Sequence, residues 1–136
     1  MRPAILFVCV ENSCRSQIAE AYARSLAGPG GIVASAGSQP AEQVHPRAIA
    51  FMQEEGIELT AQRPKGLGGV PSLEWDALVT MGCGDACPSL PARRRWNWEL
   101  PDPKDLSDEE FRNVRDEIRR RVGKLLLELE ASAADR

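Results

Sequence analysis

Two hydrophobic periods alternate along the chain. Ala4-Ile-Leu-Phe-Val-Cys-Val10 is a continuous apolar run rich in β-branched residues, the pattern of a strand buried on both faces. From about Arg15 the period lengthens. Ile18, Tyr22 and Leu26 recur at helical spacing, Glu20 and Arg24 form an i,i+4 pair, and Gly28-Pro29 stops the helix. Gly31–Ala36 reads as a second short strand. Pro46 suits the first turn of a second helix, with Ile49 and Met52 facing inward and Gly56 ending it. Arg63–Pro71 is a Gly- and Pro-rich loop. Asp76–Met81 predicts a third buried strand, Gly82–Pro91 another loop, and Arg94–Trp98 a fourth, edge-like strand. Ser107 and Glu110 make an S-x-x-E capping box before the last helix. Phe111, Val114, Ile118, Val122, Leu125 and Leu129 form its apolar stripe, with Asp116/Arg120 and Glu117/Arg121 paired on the solvent side.

Strands alternating with helices predict a small α/β fold built on a parallel sheet, one domain over residues 1–136 without repeats or linkers. Ligands of such sheets bind beyond the carboxyl ends of the strands. Cys9 and the loop after Met81 belong to that edge, so distant cysteines can meet there.

Composition narrows the function classes. Of 136 residues, 43% are hydrophobic and 27% charged, an ordinary globular balance. A net charge of −3 argues against a nucleic-acid binder that neutralises many phosphates. No apolar run is long enough to span a membrane, and the N-terminal run has no cleavage pattern, so a cytoplasmic protein is expected, read as a monomer. Four cysteines, in the pairs Cys9/Cys14 and Cys83/Cys87, are too few for a disulfide scaffold. In a reducing compartment they point to catalysis, redox exchange or metal binding.

The segment Cys9-Val-Glu-Asn-Ser-Cys-Arg-Ser16 carries the sharpest chemistry. A loop between a buried strand and a helix turns backbone N–H groups into a shared hollow, and the helix N-terminus adds partial positive charge. A tetrahedral oxyanion fits there, lined by Asn12, Ser13, Cys14, Arg15 and Ser16. Arg15 can grip two of its oxygens with a planar fork. The same field favours a thiolate at Cys9, the nucleophilic form of the side chain. Ser16 can donate to the sulfur, and Asn12 suits a braced, locally bonded loop position. Cys14 either packs or traps Cys9 in a reversible disulfide, with packing the preferred reading.

The stretch ILFVCVENSCRSQIAEA resembles the low-molecular-weight protein tyrosine phosphatase superfamily, especially its arsenate reductase branch. SAG at Ser35–Gly37, VTMGCGDACP at Val79–Pro88, PDP at Pro101–Pro103 and VRDEI at Val114–Ile118 extend the resemblance across nearly the whole chain. It implies a four-stranded parallel sheet flanked by helices in three layers, and reduction of arsenate to arsenite as an arsenic detoxification. Phosphate and sulfate would act as analogues of arsenate, with weak phosphatase activity. Cys9 would attack arsenate, Cys83 would attack the Cys9 sulfur and release arsenite, and Cys87 would take over the disulfide. An external reductant, thioredoxin by resemblance, would reopen it. Cys83 and Cys87 stand closer together than in the three-cysteine reductases of that branch, which leaves open the resolving order and a low-molecular-weight thiol such as mycothiol as reductant. No bound cofactor is implied.

Asp102-Pro103 matches the branch's general acid, placed to protonate a leaving oxygen; alternatively it is an ordinary Asp-Pro turn. Asn12, Glu20 and Ser35 match positions that bind potassium in some arsenate reductases, with Lys65 in place of the acidic ligand. Its ammonium group either fills the cation's place or is an exposed loop lysine. No aromatic residue follows Asp102-Pro103 or lies in Ser38–Pro46, which favours a small inorganic anion over phosphotyrosine. Competing readings are a phosphatase for phosphotyrosine or small phosphomonoesters, and a non-enzymatic oxyanion or thiol sensor. Zinc held by the two cysteine pairs would leave the oxyanion loop unexplained, so no metal is expected. His45 reads as a helix-entry residue, the three tryptophans as packing, and Arg93-Arg-Arg95 as a solvated face.

Overall fold

The computed structural model of the chain describes residues 3–28, 30–82 and 90–134, so Cys83 and Cys87 lie outside the described residues. Strand β1 (Ala4–Cys9) leads into helix α1 (Arg15–Ala27), followed by β2 (Ile32–Gly37), α2 (Pro46–Gln53), β3 (Trp75–Thr80), β4 (Ala92–Asn97) and α3 (Asp108–Ala134). The expected strands are all present, displaced by one or two residues at their ends. The sheet order is β2-β1-β3-β4 and every pairing is parallel. β1 is central and buried at all positions, which explains its uninterrupted apolar run. Cys9 pairs with Gly37, and Thr80 pairs with both Val8 and Asn97. The carboxyl ends of all four strands therefore form one edge, with Cys9 on it.

The pleat sorts the core into two layers. Ile5, Phe7 and Cys9 pack with residues of all three helices, whereas Leu6 and Val8 pack with Ala34, Ala36 and Leu78 under Leu67, Val70 and Leu73. The second face is thus covered by an irregular segment containing the short 3-10 turn Leu67–Gly69. Trp75 and Trp98 are buried, and Trp98 lies 5.9 Å from the Phe7 ring.

Helix α3 forms as its pattern predicts. Ser107 Oγ accepts from the Glu110 amide at 3.2 Å and its hydroxyl donates to the Glu110 carboxylate. All six residues of the apolar stripe are buried. Each contributes about 1.5–3 kcal/mol, so the stripe outweighs surface ion pairs worth about 0.3–0.5 kcal/mol. The expected Asp116/Arg120 pair does not form. Arg120 and Arg121 both donate to Glu117 and hold its carboxyl down at about 2, while Asp116 accepts from Arg115. An i,i+3 contact is as close on a helix as an i,i+4 one, and Glu117 serves two donors at once. Buried Arg115 also donates to Phe51 O and Glu54, tying α3 to α2. Leu26 departs from its expected inward position and is 47% exposed. Along the β4 edge, Arg93, Arg94 and Arg95 are exposed, with Arg94 stacked over Trp96.

Candidate active site

The loop between β1 and α1 takes its shape from outside. Val10 O accepts from the Gln39 amide, Glu11 O from Ala41, and Ser13 O from His45, at 2.8–2.9 Å. Asn12 O accepts from the Gln17 side chain at 2.9 Å. Carbonyls of the loop are thus turned toward the 38–45 segment and α1, which aims its amides the opposite way. Asn12 has φ of 52°, the left-handed conformation that lets successive N–H groups converge on an anion. No side chain caps α1, so its positive N-terminus adds to the same hollow. Gly37 makes this close packing possible: a Cβ there would lie 2.5 Å from Val10 O and 2.9 Å from Asn12 N.

A directed chain of hydrogen bonds ends on Cys9. The Lys65 amide donates to Asn12 Oδ1 at 3.0 Å, which fixes the orientation of the Asn12 side chain. Asn12 Nδ2 then donates to Ser16 Oγ at 2.7 Å. Ser16 Oγ lies 2.8 Å from Cys9 Sγ, and against a thiolate, which has no proton to give, the hydroxyl is the donor. Gln62 donates to Gln17 Oε1 at 2.6 Å, and Gln17 donates to Asn12. Cys9, Asn12 and Ser16 are all buried. Cys14 is buried beside them. Burial, then the charges of Asp102 and Cys9, push its thiol up to about 12, so it stays protonated and packs.

The opposite wall is built from the segment after β4. Arg15 Nη1 donates to Leu100 O at 2.9 Å, and Nη2 lies 3.9 Å from Asp102 Oδ2. Asp102 also caps the turn Pro103–Asp105, accepting from the Lys104 amide at 3.2 Å. The carboxylate thus combines the two sequence readings, a turn residue that also faces the loop arginine. Arg47 braces this turn, donating to Pro103 O, Lys104 O and Leu106 O while its guanidinium stacks 5.0 Å from the Phe111 ring. Gly82 has φ of 83°, and a Cβ there would lie 2.5 Å from Arg15 Nη1. The last described residue before Cys83 therefore rests on the arginine.

Glu20 and Arg24 pair as expected at 2.9 Å, but Glu20 is only 3% exposed and faces inward. Ser35 Oγ donates to its Oε1 at 2.6 Å, and Lys65 Nζ stands 3.8 Å from the same oxygen. Lys65 is thus not a free loop lysine. With the Lys65 ammonium already beside the Glu20 carboxylate, an added alkali cation would meet a like charge at the same oxygen, so these residues do not fit one.

The structure brings together Cys9, Asn12, Ser13, Cys14, Arg15, Ser16 and Asp102, whereas Cys83 and Cys87 remain outside the described residues. Sequence reasoning missed Gln17, Gln62, Arg47 and the carbonyl-binding role of 38–45. The SAG motif was the available signal for Gly37, since a glycine ending a buried strand marks a close backbone approach.

Residues 4–135 match the family described as low molecular weight phosphotyrosine protein phosphatase. The chain is 35% identical over 128 residues to a glutaredoxin arsenate reductase of Synechocystis, covering 92% of this chain and 97% of the relative. It is 35% identical over 130 residues to an arsenate reductase of Staphylococcus aureus, covering 93% and 98%. A thioredoxin-dependent arsenate reductase of Corynebacterium glutamicum superposes with a TM-score of 0.78 at 34% identity; the match covers 96% of this chain but 63% of that longer one. Another solved structure, an arsenate reductase in the phosphate-binding state, gives 0.81 at 35% identity, covering 95% of this chain and 99% of the other.

Proposed function

This chain belongs to the low-molecular-weight phosphotyrosine protein phosphatase family, and within it we propose an arsenate reductase acting in the cytoplasm. The observation that carries the reading is a sulfur at the floor of an amide-lined loop, with the Ser16 hydroxyl in hydrogen-bond contact with it at 2.8 Å. The arsenate reductases at 35% identity over almost their whole lengths support arsenate as the anion.

Arsenate sits among the loop amides, with Arg15 on its oxygens. The Cys9 thiolate attacks arsenic, and an oxygen leaves as water after Asp102 supplies a proton. The Cys83 thiolate then attacks the Cys9 sulfur. The sulfur–arsenic bond breaks, its electron pair stays on arsenic, and arsenite departs from a Cys9–Cys83 disulfide. Cys87 attacks Cys83, frees Cys9 and leaves a Cys83–Cys87 disulfide for thioredoxin. Two thiols are oxidised for one arsenic reduced from +5 to +3. Gly82 against Arg15 supports the relay, because the chain leaves the arginine directly into Cys83.

A coupled assay with arsenate, thioredoxin, thioredoxin reductase and NADPH tests this. Cys83→Ser and Cys87→Ser are each expected to lower steady-state turnover at least about 100-fold. Cys87→Ser should still release one arsenite per enzyme in a single turnover. Full turnover in both variants would refute the relay. Aryl phosphate hydrolysis without arsenate reduction in the native protein would refute the reductase.

We also propose that the Lys65 ammonium takes the place of an alkali cation beside Glu20. Potassium should leave the melting temperature of the native protein unchanged. Lys65→Met should cost on the order of 1 kcal/mol, because Ser35 and Arg24 remain on Glu20, and should create a potassium-dependent rise in melting temperature. A potassium response in the native protein would contradict the substitution.

A further inference from the structure

Four charged groups of alternating sign cross the site. Lys104 Nζ lies 2.7 Å from Glu11 Oε1 and 3.8 Å from Asp102 Oδ2, and Asp102 Oδ2 lies 3.9 Å from Arg15 Nη2. The row starts at Glu11 and ends at Arg15, both in the loop that follows Cys9. Asp102 and Lys104 belong to the facing turn. The row therefore spans the nucleophile loop like a strap fastened at both ends. The Glu11–Lys104 end of the row is partly solvent-exposed, with the side chains at 44% and 32%, whereas Cys9 is 3% exposed. The sulfur lies at the floor and the strap at the rim.

We propose that the Glu11–Lys104 bridge is a specificity determinant that admits bare tetrahedral oxyanions and disfavours phosphomonoesters. The inference rests on reading the Cys9 loop as the oxyanion site. A free inorganic anion has only oxygens, which loop amides and Arg15 can satisfy beneath the strap. A monoester carries a carbon substituent on one oxygen. In-line attack by sulfur sets that oxygen opposite Cys9, toward the acid at the rim, so the substituent must pass where Glu11 and Lys104 meet. Admitting it requires opening the bridge. Lys104 has its cationic form reinforced by the Glu11 hydrogen bond and by the Asp102 charge, which agrees with a maintained contact. A half-exposed ion pair is a modest barrier, so the selectivity it supplies is about fivefold and falls with salt.

Binding to the Cys9→Ser protein, in which neither ligand reacts, provides the test. Dissociation constants are measured by calorimetry for phenyl phosphate and for inorganic phosphate. Their ratio cancels the general attraction of Lys104 for anions. Glu11→Ala and Lys104→Ala are each expected to shift the ratio about fivefold toward phenyl phosphate. Melting temperatures of the two variants, measured alongside, separate loss of the bridge from loss of folding. An unchanged ratio in both single variants, with both folded, would overturn the proposal. Failure of the reductase reading would appear separately, as absent arsenate turnover in the coupled assay.

Discussion

Replacing Cys9 with serine is expected to lower arsenate turnover by at least about 10⁴-fold while leaving phosphate affinity within a few-fold of native. Serine is close in size to cysteine, and its hydroxyl can keep the hydrogen bond with Ser16 Oγ that the sulfur makes at 2.8 Å. The amide cradle is held by contacts that do not involve the Cys9 side chain: Gln39 on Val10 O, Ala41 on Glu11 O and His45 on Ser13 O. Anion binding should therefore survive. Chemistry should not, because an alkoxide is far harder to form than a thiolate and oxygen cannot form the disulfide on which the proposed relay depends. Stopped assays for arsenite paired with phosphate calorimetry measure both halves. Parallel loss of binding and turnover would mean that the sulfur shapes the loop as well as attacking.

The second large effect is expected at a residue with no side chain. Gly37→Ala would place a Cβ 2.5 Å from Val10 O and 2.9 Å from Asn12 N. Both atoms are backbone, so neither can swing aside as a flexible side chain would. Either β2 retreats from β1, where Cys9 and Gly37 are paired, or the loop shifts toward its own hollow. The cost is about 1–3 kcal/mol of stability, typical of overpacking a well-filled site. A loop displacement approaching 1 Å would add a loss of about 100-fold in kcat/KM. Thermal denaturation and steady-state kinetics measure the two effects. A variant with native stability and native kcat/KM would show that the loop tolerates more movement than its packing implies.

The strand and helix order was legible because each element has an unmixed period: six buried positions in a row for β1, and a 3.6-residue stripe in α3. The Cys9 loop was legible for a different reason. Nucleophile, arginine and hydroxyl lie within eight consecutive residues, so local spacing alone places them together. What stayed hidden depends on contacts between distant segments. Gln17 meets Gln62 and Arg63 across 45 and 46 positions, and Arg47 meets the Asp102 turn across 56 to 59. A polar side chain that serves remote backbone carbonyls leaves no periodic mark on its neighbours. Glu20 lies between these cases: its i,i+4 partner alone reads as a surface pair, whereas the family resemblance grouped it with Ser35 and Lys65, the residues it meets on its inward side.

The hydrogen-bond chain behind Cys9 also fixes where a proton cannot go. Ser16 receives its bond from the amide nitrogen of Asn12, and an amide nitrogen accepts no proton at ordinary pH. A proton leaving the Cys9 thiol has no conduit through Ser16 into the protein interior. It must depart by the front, onto the incoming anion or into water at the rim. The buried side of the site works as an insulator, so proton exchange with the sulfur is confined to the open face of the loop.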